Sequence, residues 1–396
     1  MDIALLQHGL SARGEPDYRA RQVWQWAARG ASGYEQMTNL PAGLRAALAE
    51  ELPFSTLELV ANAHARDGTV KALFRTADGH PVEAVLMRFR DGRRSICVSA
   101  QSGCPLTCTF CATGQMRFGR NLTASEILDQ ALHFARLERG LGAEVQPSRS
   151  WGAAGGSRPE GTVRTARARR ASGRQRRQAV AKAGSAGREA PPARGANCVF
   201  MGMGEPMMNL DAVLEAARRL PDLGITHRRT TISTVGWLPG LRRFVEEVEE
   251  PIRLAISLHA PDDALRSQLM PVNERYPLRD VLALCERSFE LRRRKVFVEY
   301  VMLAGVNDRV EQAAALAKLL DSRIYKVNLI PYNPTGAHEG SSPKAIAAFK
   351  AVLDRAGLPA TVRLTRGRDI EAACGQLAAR ARLSAAQSPT SPFGRA

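Results

Sequence analysis

From residue 94 onward, short apolar runs alternate with amphipathic stretches. Segments 95–99, 197–201, 230–234, 253–258, 296–302 and 326–330 are rich in β-branched residues and bounded by Gly, Pro or Asn. That is the pattern of strands buried on both faces. The first helix between them opens on a capping box, Thr123-Ala124-Ser125-Glu126, ahead of Ile127, Leu128, Ala131 and Leu132. Further helices are predicted near 211–220, 278–291, 308–320 and 343–356. Six such units predict an α/β fold, a parallel sheet curled into a partial (βα)6 barrel over residues 91–340. Residues 1–90 lack this rhythm. They hold a helix-like stretch at 18–26, a break at Asn39-Leu40-Pro41, and β-like runs at 70–75 and 82–87. This predicts a small N-terminal α/β domain, with 341–396 as a C-terminal segment.

Residues 143–196 interrupt the pattern. They are rich in Arg, Ala and Gly, with Val145, Trp151, Val163 and Val180 as their only large apolar residues. Such a segment buries too little surface to offset its ordering entropy, and is expected to be a disordered insertion. It joins the first helix to the second strand, which puts it on the barrel face away from the catalytic loops.

Charge changes the picture. The net charge of +17 points to a polyanionic partner. The insertion carries twelve Arg and Lys against three Glu, a net +9, so the rest of the chain retains +8. In the N-terminal helix, Trp24 and Trp26 read first as core residues. The alternative is an RNA-facing surface built on Arg19, Arg21 and Arg29. No apolar run is long enough to span a membrane, and the first residues lack a basic leader, so a soluble, cytoplasmic protein is expected.

The seven cysteines are Cys97, Cys104, Cys108, Cys111, Cys198, Cys285 and Cys374. An odd count in a long chain argues against a disulfide framework. Cys104-Pro105-Leu106-Thr107-Cys108-Thr109-Phe110-Cys111 directly follows the first barrel strand, in the first catalytic loop. Three thiolates can hold three irons of a [4Fe–4S] cluster and leave the fourth open to S-adenosylmethionine (SAM). A zinc knuckle would need a fourth ligand, and none lies nearby in sequence. One unit later, Met201-Gly202-Met203-Gly204-Glu205-Pro206 provides glycines for close backbone approach and a carboxylate for an amine or ribose. Ser233, Ser257-Leu258-His259 and Asn333 fall at later strand ends, on the same rim.

With these motifs, Cys97-Val98-Ser99-Ala100-Gln101-Ser102-Gly103-Cys104 and Ala372-Ala373-Cys374-Gly375-Gln376-Leu377, the chain resembles the RlmN-type family of adenine-C2 RNA methyltransferases, relatives of the Cfr C8 enzymes. The resemblance spans the chain outside the insertion. It implies that Cys104, Cys108 and Cys111 ligate the cluster and that Gly204, Glu205, Ser233, Ser257, Leu258, His259 and Asn333 contact SAM, two molecules being used per turnover. It implies that Cys374 carries the methyl group, that Cys97 resolves the intermediate by forming a disulfide with Cys374, and that Glu83 accepts a proton. The implied partners are 23S rRNA and tRNA, which residues 1–90 would help to bind, and a flavodoxin- or ferredoxin-like electron donor; a monomer is expected. Two other readings are a Cfr-type adenine-C8 methyltransferase and a zinc-stabilised RNA-binding protein without catalysis.

Overall fold

A computed structural model describes residues 1–140 and 196–378. Its frame is one continuous ten-stranded sheet. In chain order the sheet strands are β1 (Leu57–His64), β2 (Val70–Thr76), β3 (Pro81–Arg88), β4 (Arg94–Val98), β7 (Ala196–Phe200), β8 (Thr230–Thr234), β9 (Arg253–Ser257), β10 (Val296–Met302), β11 (Tyr325–Pro331) and β12 (Ala360–Val362). A separate ribbon pairs β5 (Gln101–Ser102) with β6 (Arg120–Asn121). Strand order follows chain order, and every pairing from β4 to β12 is parallel. The six strands expected from the apolar runs are all present, as the parallel part of the sheet, with a seventh short strand, β12. At the other edge, β1, β2 and β3 extend the sheet antiparallel, with Val85 opposite Cys97.

Helices cover the outer face of the barrel. They are α4 (Ala124–Glu138), α5 (Leu210–Arg219), α6 (Leu238–Glu247), α7 (Asp263–Leu269), α8 (Val272–Arg275), α9 (Leu278–Arg292), α10 (Val310–Leu319) and α11 (Pro343–Arg355). The capping box of α4 forms as expected: Glu126 N–H donates to Thr123 Oγ1 at 3.1 Å, and Thr123 N–H donates to Glu126 Oε2 at 2.9 Å. Several elements escaped the sequence reading, among them α6, β1 and β12. Helix α6 begins with Pro239 and Gly240, which look like breakers but fit a first turn. Strand β1 contains Asn62 and a bulge between Leu59 and Ala61, so its identity comes from pairing with β2 rather than from propensity. Strand β12 is a three-residue edge. The expected insertion lies outside the described residues, except that Ala196 already belongs to β7 and pairs with Arg94.

The N-terminal helices are α1 (Ile3–Ser11), α2 (Tyr18–Ala28) and α3 (Ala42–Glu51). Trp24 on α2 is buried, and its indole N–H donates to Asp222 Oδ2 at 2.7 Å. The Arg219 guanidinium stands over the same ring at 5.6 Å. Trp26 is half-buried and donates to Asn39. Trp24 is therefore a packing residue that ties the N-terminal helices to the barrel; Arg21 and Arg29 stay exposed.

Trp24→Ala removes a buried ring and leaves Asp222 unpaired, and should cost about 3–5 kcal/mol. Trp26→Ala should cost clearly less. Thermal denaturation followed by circular dichroism checks this, and equal losses would contradict the packing described.

Candidate functional site

The carboxyl ends of the parallel strands surround a cavity of about 1020 Å³, part of it open to solvent. Cys104, Cys108 and Cys111 line one wall, from the loop after β4. Gly202, Gly204 and Glu205 follow β7; Ser233 ends β8; Ser257 and His259 close β9. The topology thus brings to one space residues that the sequence separates widely.

The glycine loop is held against the end of β4. Glu205 N–H donates to Gln101 Oε1 and Met203 N–H donates to Ser99 Oγ, both at 2.8 Å. A Cβ on Gly202 would stand 2.7 Å from the Val98 carbonyl oxygen. Gly204 has φ +93°, and a Cβ there would lie 2.4 Å from Gln101. Both positions therefore demand glycine. Glu205 is buried, accepting from Met207 N–H and Val235 N–H at 3.0 Å. Burial pushes its carboxyl up to about 7, against those hydrogen bonds.

His259 takes a left-handed backbone with φ 62°. Its Nδ1 accepts from Val301 N–H at 3.0 Å, and its ring meets Phe110 edge-on at 4.6 Å. Burial holds its pKa near 3, so the ring is neutral and its proton lies on Nε2. Behind the rim, the buried Arg266 donates to the carbonyls of Leu258, Ser257 and Val235 and to Asn273 Oδ1. This guanidinium locks the loops after β8 and β9 together.

The thiols fit a soft, multi-metal ligand. Burial pushes Cys104 up to about 12 and raises Cys108 and Cys111, with neighbouring thiols adding to the shift. Such a donor set is ionised only around cationic metal. Among the described residues, no three His, Cys, Asp or Glu side chains are grouped to hold a single metal ion. Cys104, Cys108 and Cys111 line the same cavity, where thiolates could each ligate a separate iron of one cluster. Two buried polar atoms beside that space, Glu299 Oε2 and Asn333 Oδ1, have no hydrogen-bond partner within the protein.

Cys374 belongs to the loop that crosses the open side of the barrel, and it lines both the large cavity and an adjoining cleft. The cleft also contains Cys97, Asn333, Met87 and Met201. Every part of the loop is tied down. Asn333 donates to Cys374 O at 3.1 Å, Ala112 N–H to Gly375 O at 2.8 Å, and Thr113 Oγ1 to Leu377 O at 2.5 Å. Gly367 N–H donates to Asp67, and Arg66 N–H to Asp369. Both Cys97 and Cys374 are free thiols, and the Cys97 thiol is pushed up to about 12 by burial and by Cys374.

Two expected residues sit apart. Leu258 points into the core, and both its backbone groups are already bonded, its N–H to Glu299 O and its carbonyl to Arg266. Glu83 lines neither space. It forms a buried ion pair with Lys71 at 3.0 Å and accepts from Ala378 N–H at 3.0 Å, at the far end of the Cys374 loop. Four residues that earned no role from the sequence stand at the site: Gln101, Arg266, Glu299 and Arg363. Gln101 lies inside a family motif; the other three belong to no local pattern.

Comparison with known proteins agrees with this geometry. A model of the radical SAM superfamily matches residues 160–317, and one of the ribosomal RNA large subunit methyltransferase N-terminal domain matches residues 1–53. A probable dual-specificity RNA methyltransferase RlmN from Moorella thermoacetica is 41% identical, with 92% of each chain covered. Another from Chloroflexus aurantiacus is 42% identical, covering 96% of this chain and 92% of the relative. The crystal structure of a radical SAM methyltransferase from Sphaerobacter thermophilus superposes with a TM-score of 0.77 at 40% identity, covering 96% of this chain and 98% of that one. The chain belongs to the RlmN-type family of radical SAM RNA methyltransferases.

Proposed function

We propose that the protein methylates carbon 2 of an adenine in 23S rRNA and tRNA, and that Cys374 and Cys97 carry the methyl group through the reaction. The observation that supports this most is the position of Cys374 on the wall shared by the thiol-lined cavity and the cleft holding Cys97. The relatives' description as dual-specificity RNA methyltransferases and the net +8 outside the basic segment support an RNA substrate. Residues 1–90 are the unit assigned to RNA contact, and a flavodoxin- or ferredoxin-like protein is the electron donor to a monomeric enzyme.

Family membership implies a [4Fe–4S] cluster and SAM. Cys104, Cys108 and Cys111 would hold the cluster, and Gly204, Glu205, Ser233, Ser257, His259 and Asn333 would line the SAM site. When bound, these groups supply a methyl group and one-electron chemistry, at a cost of two SAM per turnover. The chain's own residues direct that chemistry. Carbon 2 of adenine is electron-poor, so a nucleophilic ring attack on a methyl donor is closed to it. Cys374 accepts the methyl group instead, and its anchored loop presents the S-methyl carbon to the base. Once that carbon has given up a hydrogen atom and bonded to carbon 2, protein and RNA are joined through the Cys374 sulfur, and the adduct gives up one electron to the one-electron chemistry named above. Glu83, which lines neither space, would have to leave Lys71 and Ala378 N–H to take the proton lost from carbon 2. Cys97 then attacks the Cys374 sulfur. The S–S bond forms and the S–CH2 bond breaks; its electron pair leaves on carbon, which takes a proton to become the methyl product.

Replacing Cys104, Cys108 or Cys111 singly by Ala should abolish both iron–sulfide content and methylation, because three ligands leave none spare. Iron and sulfide assays after anaerobic reconstitution check this; a full cluster in any one variant would contradict the ligand set. The two remaining cysteines should fail differently. With substrate RNA and SAM, Cys97→Ala should accumulate a covalent protein–RNA band on denaturing gels, and Cys374→Ala should give none. The reverse pattern would exchange their roles, and no band from either would remove the covalent mechanism.

A further inference from the structure

We propose that Arg363, anchored by Glu299, is the positioning residue that keeps the Cys97 sulfur competent to attack Cys374. The inference rests on the roles given to the two cysteines above. Arg363 follows β12, and its backbone N–H donates to Leu329 O at 2.8 Å, which pins its origin to β11. Its side chain reaches the wall common to the large cavity and the cleft. That wall consists of Met201, Ile330, Arg363, Cys374 and Leu377. Arg363 is its only charged member.

Among the described residues, its guanidinium donates to the Met201 sulfur and to no oxygen. The nearest carboxylate oxygen, Glu299 Oε2, lies 3.9 Å from Nη1, beyond hydrogen-bond distance. The other Glu299 oxygen accepts from Asn328 at 2.9 Å, which fixes the carboxylate. Nη1 also lies 3.8 Å from the Met201 sulfur. The guanidinium is thus left facing sulfur, with a carboxylate behind it. An arginine kept only for an ion pair would instead be expected to close a bidentate bond with its carboxylate.

The chemistry needs a cation here. Only the thiolate of Cys97 can displace the Cys374 sulfur, and Cys97 is buried. Burial favours its neutral thiol, and in the adduct Cys374 is an uncharged thioether. Among the described groups that bear on it, Cys198 on β7 is another buried thiol, Met201 offers a backbone N–H, and Arg363 is the cation that opposes burial, whereas Arg366, which also lines the cleft, is paired with Asp67 at 3.7 Å. On the neighbouring β2 and β3, Lys71 and Glu83 neutralise one another. The attraction is reciprocal, since Cys374, Glu299 and Cys97 all raise the Arg363 pKa. Removing the guanidinium therefore shifts the ionisation of Cys97 to higher pH.

The test uses reconstituted full-length enzyme with SAM and a 23S rRNA transcript. It follows the covalent protein–RNA band from pH 6.5 to 9.5 in wild type, Cys97→Ala, Arg363→Met and Arg363→Lys. At neutral pH, Arg363→Met should accumulate the band as Cys97→Ala does, with release slowed by about tenfold for each unit of pKa shift. Unlike Cys97→Ala, it should recover release as pH rises, while Arg363→Lys keeps a midpoint near that of wild type. Arg363→Gln serves as the neutral variant should Arg363→Met fail to retain its iron. A purely structural arginine would change stability or iron content and leave the midpoint in place. A band from Cys97→Ala together with wild-type release and midpoint in the neutral variant overturns this inference alone. No band from Cys97→Ala overturns the cysteine-pair reading, and this inference with it.

Discussion

The site depends on how the segment from Gly367 to Ala378 is fastened across the open side of the barrel. A partial barrel has two free edges, and its interior would otherwise be open to water. Asp67 and Asp369 fix the start of the segment, Asn333, Ala112 and Thr113 its middle, and the buried Lys71–Glu83 pair its end through Glu371 O and Ala378 N–H. Those anchors come from β2, β3, the first cysteine loop and the loop after β11. Each of these must be in place before Cys374 can stand beside Cys97. A buried ion pair contributes little net stability, but losing one partner is costly, so Lys71 and Glu83 work chiefly to specify where the segment sits.

Closure also sets the electrostatics. Burial behind the segment favours the neutral thiols of Cys97, Cys104, Cys108 and Cys111 and keeps His259 uncharged. Chemistry in such a place cannot begin from free thiolates. On the reading proposed above, positive charge would be delivered at each sulfur, by metal at Cys104, Cys108 and Cys111 and by Arg363 at the pair. The same burial protects reactive carbon and sulfur from solvent. One physical condition thus governs both cluster assembly and methyl transfer.

The parallel strands were legible, and the first loop stood out as a candidate ligand loop, because each is a local pattern. Apolar runs punctuated by Gly and Pro marked β4 and β7 to β11, and three cysteines within eight positions marked the cluster loop. Elements that escaped take their form from partners distant in sequence. Strand β1 depends on β2, and β12 on β11. Arg266, Glu299 and Arg363 are ordinary residues in sequence; only the curled sheet turns them inward. The placement of Trp24 in the core was the expected reading, and Asp222 as its partner could not be seen without the fold. Leu258 shows the opposite case, a motif residue whose own groups are spent on the core.

The measurement that tests the central claim most directly is mass analysis of adenosines from 23S rRNA and tRNA, comparing cells with the gene, without it, and with a Cys374→Ala copy. The expected result is 2-methyladenosine in the first and its absence from the other two. Production of 8-methyladenosine, or 2-methyladenosine undiminished in the Cys374→Ala strain, would contradict the function assigned to this site.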